Sequence, residues 1–410
     1  MVEIEVRLLR GSVYFAGEPI RCQITFTNTA KRAATTSSQD SRTNHVKSSQ
    51  FSRRKVIGIE TIAWASAQIH CQCTINDTRV QMPDIERNIL QDLVPKDEAA
   101  TTSFMPSKGE RGRCLLSTKP KILFCDLTLA AGESKSYYYE DAVPFDSPPS
   151  YKGLAVKYCY KITVGAGRLQ STTKLVRLPV RILVLEGLKE FNHCSSSNGC
   201  SSNPFLNDNI KARSMLDVAV EKLTTITCKK SQYIYNVVNK DGLVGCFILF
   251  KSAYRIGDEI LGIFDFRGCK VKCTKLIVTL QSEEHVCGDY KKASSKHLHS
   301  HTSYSTQQEF CLYSKKIQIQ LPIPITATPE FKSDIVDVRW RLHFEFYLST
   351  SELHTDESTD EQDTAEVCVV APPSLNIETM TWDLPLKIVP CNPVQASAIS
   401  LLRTTATSTF

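Results

Sequence analysis

The sequence predicts an all-β chain of two tandem β-sandwich domains, with a linker and a short helix between them. Three observations carry this. The chain repeats its own landmarks, its apolar residues alternate with the period of two that strands impose, and turn signals cut it into many short segments while helical periodicity is scarce.

The repeat comes first along the chain. Tyr14-Phe15-Ala16-Gly17-Glu18-Pro19-Ile20 leads into alternation through Ile24 and Phe26. Tyr254-Arg255-Ile256-Gly257-Asp258-Glu259-Ile260 leads in the same way into Phe264 and Phe266, without a gap and 240 residues later (254 − 14). Pro144, Phe145, Pro149 and Tyr151 have counterparts in Pro324, Ile325, Pro329 and Phe331, and Leu178-Pro179-Val180-Arg181-Ile182 has one in Leu384-Pro385-Leu386-Lys387-Ile388. The anchors keep their order while their spacing varies, as expected of a duplicated domain with unequal loop insertions. In each copy one strand is half-buried with an aromatic inner face: Val156, Tyr158, Tyr160, Ile162 and Val164 in the first, Val338, Trp340, Leu342, Phe344 and Phe346 in the second. Ala131-Gly132-Glu133, Gly165-Ala166-Gly167 and Asn239-Lys240-Asp241-Gly242 supply turns, a pattern that suits sandwiches.

A chain of 410 residues exceeds one core, so two domains are expected. The first spans 1–187, with a disordered insert at 29–60. A linker at 188–232, rich in Ser and Asn from His193 to Asn203, carries a candidate helix at 209–223 with Leu216, Val220 and Leu223 on one side. The second domain spans 233–392, with mobile loops at 284–309 and 350–376, and a disordered tail follows at 393–410. Ile85, Ile89 and Leu93, spaced by four between Pro83 and Pro95, fit one further short helix.

Composition narrows the function classes. Glu3, Glu5, Arg7 and Arg10 interrupt the first ten residues, which excludes the apolar core of a signal peptide, and no apolar run approaches the roughly 20 residues of a membrane span. The expectation is a soluble cytosolic protein, or one peripheral to a membrane. The 16 cysteines are therefore read as reduced packing residues, Cys22 and Cys246 among them. The net charge of +6 is concentrated between Ala30 and Gly58, where Lys31, Arg32, Arg42, Lys47, Arg53, Arg54 and Lys55 face the single acid Asp40, while Ser351 to Glu366 is the reverse, with Glu352, Asp356, Glu357, Asp360, Glu361, Asp363 and Glu366 and no Lys or Arg. The basic run could attract an anionic lipid surface, but its residues are spread out without aromatic interleaving, and a solvated loop is the simpler reading. A nucleic-acid partner is not expected.

Catalytic chemistry leaves little trace. There is no Gly-rich phosphate loop followed by Lys-Ser/Thr, no Gly-x-Ser-x-Gly elbow and no His-Glu-x-x-His, so no catalytic, cofactor-binding or metal-ligating residue is assigned. His297, His299 and His301 would share one face of a strand. No Cys, Asp or Glu at ligand spacing completes a shell, and a solvated loop is expected. Cys71-Gln72-Cys73 and the pair Cys269 and Cys273 lack partners at zinc-knuckle spacing. Pro148-Pro149-Ser150-Tyr151 fits the Pro-Pro-x-Tyr ligand of WW domains, but its counterpart Thr328-Pro329-Glu330-Phe331 keeps only the ring, so Tyr151 is expected to start a strand.

Tandem sandwiches that open with Tyr-x-x-Gly-Glu/Asp and close with Leu-Pro-x-Arg/Lys-Ile resemble the arrestin fold. Longer strings narrow the likeness: Ala63-Trp64-Ala65-Ser66-Ala67-Gln68-Ile69-His70-Cys71-Gln72, Gly109-Glu110-Arg111-Gly112, Lys121-Ile122-Leu123-Phe124-Cys125-Asp126-Leu127, Gly132-Glu133-Ser134-Lys135-Ser136-Tyr137, Trp340-Arg341-Leu342-His343-Phe344-Glu345-Phe346 and Trp382-Asp383-Leu384-Pro385. In these the chain resembles the retrograde Golgi transport protein homologue family over most of both domains. That resemblance implies the smaller, arrestin-like subunit of a two-protein guanine-nucleotide exchange complex acting on a Rab GTPase of the Rab-six class. It further implies a larger propeller-containing partner, the cytosolic face of the Golgi, and retrograde traffic from endosomes and within the Golgi. The chain would be a non-catalytic scaffold without cofactors, active only with the larger subunit. The alternatives are an arrestin- or retromer-type cargo or ubiquitin-ligase adaptor and, at the far end, a hydrolase built on the His cluster. The insert at 29–60 and the His-rich and acidic loops depart from the family pattern. The residues that would bind the partners are not legible.

Overall fold

The computed structural model describes residues 1–30, 58–81, 104–169, 171–189, 214–228, 232–292, 299–350 and 374–409. The expected helix around Ile85 to Leu93, the basic run from Lys31 to Lys55, most of the linker and the acidic stretch after Ser351 lie outside them. The two sandwiches of the prediction are present, each a pair of sheets around an apolar cluster, with Val336 and Val338 of the second half joining the first cluster and Val13 and Phe15 of the first half joining the second.

The first half contributes β1 (Val2–Leu8), β2 (Val13–Phe15), β3 (Pro19–Asn28), β4 (Glu60–Ile75), β5 (Arg113–Ser117), β6 (Lys121–Leu129), β7 (Ser134–Ala142), β8 (Tyr151–Lys152), β9 (Val156–Gly167) and β10 (Lys174–Leu183). The second contributes β11 (Tyr233–Asn239), β12 (Gly242–Leu249), β13 (Ala253–Arg255), β14 (Glu259–Asp265), β15 (Lys272–Val286), β16 (His299–Phe310), β17 (Lys316–Pro322), β18 (Phe331–Lys332), β19 (Val336–Ser349) and β20 (Ile377–Val389). Sheet order displays the duplication. The small sheets run β21-β1-β3-β7 and β11-β12-β14-β17, where β21 is Thr405–Thr409, and the large sheets are built on β2-β10-β9-β4 and β13-β20-β19-β15. In both, a three-residue strand joins parallel to the last long strand, β2 to β10 and β13 to β20.

The repeated Gly-Glu/Asp has a physical reason. Gly17 and Gly257 take φ of 84° and 89°, a conformation that L side chains rarely adopt, and a Cβ on Gly17 would meet the Phe145 ring at 2.2 Å. The following carboxylate accepts the amide at the end of the short strand: Phe15 N donates to Glu18 Oε2 at 2.9 Å, and Arg255 N to Asp258 Oδ2 at 3.1 Å. Gly17 N and Gly257 N then donate to the matching carbonyls of Val143 and Ile323.

Period-two alternation buries one face of each long strand. Along β19, Val338, Trp340, Leu342, Phe344 and Phe346 are 0–2% exposed, and along β9, Tyr158, Tyr160, Ile162 and Val164 are likewise buried. The second cluster is dense in rings, with Phe344 centred 4.8 Å from Trp382 and 5.0 Å from Phe247.

Three expectations need correction. The tail at 393–410 is ordered through residue 409: it forms a helix, Pro393–Ile399, and then β21, which pairs antiparallel with β1 from Glu3–Thr409 to Arg7–Thr405. Asn392 caps that helix by accepting the amide of Val394, with Pro393 at the first helical position. β21 sits beside β1 as β11 sits beside β12, so the far end of the chain completes the first sandwich. The segment 284–309 is not a loop over most of its length: β15 runs to Val286, a short 3-10 turn spans Gly288–Tyr290, and β16 begins at His299. Its polar side chains hid the strand because β16 lies at a sheet edge, where backbone pairing to β15 suffices without an apolar face. The helix expected at 209–223, here α1, is Met215–Thr227, and the C-terminal helix is α2. The start of α1 is set by a capping box between Ser214 and Asp217, and its buried face is Ala219, Leu223 and Thr227, one line shifted from the expected Leu216, Val220 and Leu223. Residues 209–213 lie outside the described residues.

Candidate protein-docking interface

The two sandwiches meet along a seam in which side chains of each half satisfy backbone groups of the other. Arg181, on the closing strand β10, donates from Nη1 to the Ile325 carbonyl at 2.8 Å and from Nη2 to the Ala327 carbonyl at 2.7 Å. Burial pulls its guanidinium pKa down. From the opposite side Glu284 accepts the amides of Leu154 at 2.9 Å and Ala155 at 3.1 Å. Tyr158 and Ser333 share a hydroxyl hydrogen bond at 3.0 Å, and the Tyr151 and Phe331 rings meet edge to face at 5.0 Å. The Pro-Pro-x-Tyr segment is spent in this seam: Pro149 is buried and the Tyr151 ring is packed, so it is not the open extended ligand that a WW domain needs.

Replacing Arg181 with Met is expected to destabilise the chain by about 2–3 kcal/mol, because two carbonyls in the half-buried seam lose a charged donor. Urea denaturation checks this against Arg21→Met, whose pair with Glu140 is exposed and whose loss costs less than about 1 kcal/mol.

Beside the seam lies a cavity of about 430 Å³, walled by Tyr158, Tyr160, Val180, Ile325, Ile399 and Leu402, with Lys152 and Lys157 on its lining. α2 closes one side and is held to the first sandwich by the Val13 amide, which donates to Ser397 Oγ at 3.1 Å. Next to it Ile399 is 60% and Leu401 98% exposed. A second open surface is β11, which pairs with β12 alone among the described strands and exposes Ile234 and Val238. An unpaired strand edge and an apolar groove suit reversible association with another chain.

A half-buried ionic cluster was not legible in the sequence. Glu110, 10% exposed, accepts from His70 Nε2 at 3.2 Å, pairs with Arg177 Nε at 3.3 Å and binds Lys161 Nζ closely. Burial alone would push the Glu110 carboxyl up, but the hydrogen bonds from Lys161 and His70 and the charges of Lys161 and Arg177 outweigh it and hold the pKa below its ordinary value. Burial pulls His70 down, and its Nδ1 faces Thr163 Oγ1 at 3.3 Å. The Gly109-Glu110-Arg111-Gly112 string and the Ala63 to Gln72 string that contains His70 touched the spot, but nothing in either joined them, since the partners of Glu110 come from the three strands β4, β9 and β10.

The remaining candidates are placed as follows. No disulfide joins the 13 described cysteines; Cys71 and Cys73 are buried in β4, Cys273 is buried in β15 and Cys269 is half-buried. Burial pushes the Cys71 thiol up to about 12, as befits packing. His299 and His301 stand on β16 rather than in a loop, and His297 lies outside the described residues. The carboxylate that the sequence failed to supply is present across the ladder, as Glu283 of β15.

The profile of the family described as Rgp1 matches residues 35–185 and 186–349. The chain belongs to the Rgp1 family. Along its whole length it is 37% identical to the human protein named RAB6A-GEF complex partner protein 2, covering 100% of both chains over 416 residues. To the bovine protein of the same name it is 37% identical over 393 residues, covering 94% of this chain and 93% of the relative. The two family segments divide near residue 185, close to where the strands of the first sandwich give way to the linker.

Proposed function

We propose that this Rgp1-family chain is the non-catalytic, arrestin-like scaffold subunit of a guanine-nucleotide exchange complex for a Golgi Rab GTPase of the Rab-six class. It works with a larger propeller-containing subunit on the cytosolic face of the Golgi and supports retrograde endosome-to-Golgi and intra-Golgi transport. The observation that carries this reading is the end-to-end correspondence with relatives named as partners in a RAB6A-GEF complex. The chain also offers a tied pair of sandwiches with a groove and an open strand edge, and its sequence has no phosphate-binding motif. Exchange requires a surface that binds the nucleotide-free GTPase better than the nucleotide-bound one, since only differential affinity shifts that equilibrium. A scaffold meets that need by holding a partner and the GTPase in register.

A tagged full-length chain recovered from cytosol should bring down one large propeller protein in stoichiometric amount. Recovery of cargo receptors or a ubiquitin ligase as the main partner would replace this reading with that of an adaptor.

A further inference from the structure

The structure assigns a second kind of site to this chain: we propose that Glu283, His285 and His299 bind one divalent transition-metal cation, with His301 at the rim. The register of β15 and β16 sets Glu283 opposite His301 and His285 opposite His299. Residues two apart on a strand share a face, so the four side chains form a square on one side of the sheet. One donor atom from each of Glu283, His285 and His299 lies within 4.8 Å of the others. The Nδ1 atoms of His285 and His299 face each other at 2.5 Å. Nε2 of His285 is buried without a well-aligned hydrogen bond, although Glu283 Oε2 stands 3.0 Å away, and Glu283 Oε1 is 3.8 Å from His301 Nδ1.

Two facing imidazole nitrogens can share a proton or hold a cation between their lone pairs. A zinc ion at about 2.0 Å from each nitrogen, with tetrahedral angles, separates its ligands by roughly 3.3 Å. His299 is exposed, so a modest rotation of its ring opens the pair to that distance. His301 stays outside because its Nδ1 faces Arg341 Nη2 at 3.3 Å, and only Nε2 could turn inward.

The donor set is imidazole and carboxylate without thiolate, which suits Zn²⁺, Ni²⁺, Co²⁺ or Cu²⁺ and disfavours Mg²⁺ and Ca²⁺. With three protein ligands the ion keeps an open position. Bound there, it would pin edge strand β16 to β15. The site owes nothing to the exchange-complex reading and can fail or hold independently of it.

Co²⁺ titrated into the metal-free full-length chain tests the proposal, because its visible spectrum separates nitrogen and oxygen ligands from the many free thiols. The expected result is one saturable cation per chain, with ligand-field bands and no thiolate charge-transfer band. Affinity should fall at least tenfold in His299→Gln and in His285→Gln, but no more than a few-fold in His301→Gln. The exposed His299 makes its variant the one that leaves the fold intact, and its unchanged thermal midpoint without metal is the control. Non-saturable binding, a thiolate band, or unaltered affinity in the folded His299→Gln chain would overturn the assignment.

Discussion

Phe344→Ala should lower the stability of the second sandwich by about 3–5 kcal/mol, the usual cost of emptying a buried ring position in a core. Phe344 is 0% exposed and touches rings on both sheets: Trp382 at 4.8 Å, Phe247 at 5.0 Å and Phe346 at 6.0 Å. These neighbours are large and locked by one another, so the site has little means of closing over the void. Effects should also reach the seam, because two residues before Phe344 on the same face of β19 is Leu342 and two before that Trp340, whose indole donates to the Thr328 carbonyl at 3.1 Å. Urea unfolding with near-ultraviolet dichroism measures both, since the second sandwich holds Trp340 and Trp382 while the first holds Trp64. Ile122→Ala, at a position 71% exposed, is the matched control and should change stability by no more than about 0.5 kcal/mol.

Glu110→Ala should cost the first sandwich about 3 kcal/mol, because it removes the one carboxylate that His70, Lys161 and Arg177 share. Breaking a buried ion pair from one side costs about 3–5 kcal/mol, and the partial exposure of Lys161 and Arg177 places this case at the low end. The sign of the pH dependence follows from the directions of the shifts. Glu110 has a folded pKa below the ordinary 4.5, so its contribution is full above that pH and is lost as pH falls through the folded value. His70 has a folded pKa below the ordinary 6.5, so the unfolded chain takes up its proton first and stability falls as pH drops below 6.5. Both act in one direction, towards acid lability. Denaturation midpoints between pH 7 and pH 4 should therefore decline, and Glu110→Ala should remove the part of the decline that sets in near pH 4.5.

What the sequence disclosed was whatever depends on residues close together in the chain. The glycine of Gly17-Glu18 and of Gly257-Asp258, the carboxylate after it and the alternation into Phe26 and Phe266 are local, and each reads directly as a turn entering a half-buried strand. Two elements escaped because their local signals are weak. β21 alternates only Thr, Ala and Ser, and β16 is almost wholly polar, yet each forms because a neighbouring strand supplies its hydrogen bonds. The Asn392-Pro393 start of α2 was present as a cap followed by a first-turn proline, in a segment too short for periodicity to register. Both side-chain clusters stayed hidden for one reason. Glu283 faces His301 and His285 faces His299 only in the register of β15 on β16, and Glu110 reaches His70, Lys161 and Arg177 only when three strands lie side by side. Spacing along one strand cannot reveal a partner on another. The seam was likewise invisible: Arg181 belongs to a repeated anchor, Leu-Pro-x-Arg/Lys-Ile, but its partners are backbone carbonyls of the other half.

Nucleotide release from the GTPase, followed by the loss of a fluorescent GDP analogue, is the most direct measurement. With purified components the account predicts background release with this chain alone and fast release once the larger subunit is added in equal amount. Release by the isolated chain at the rate of the full pair would contradict it.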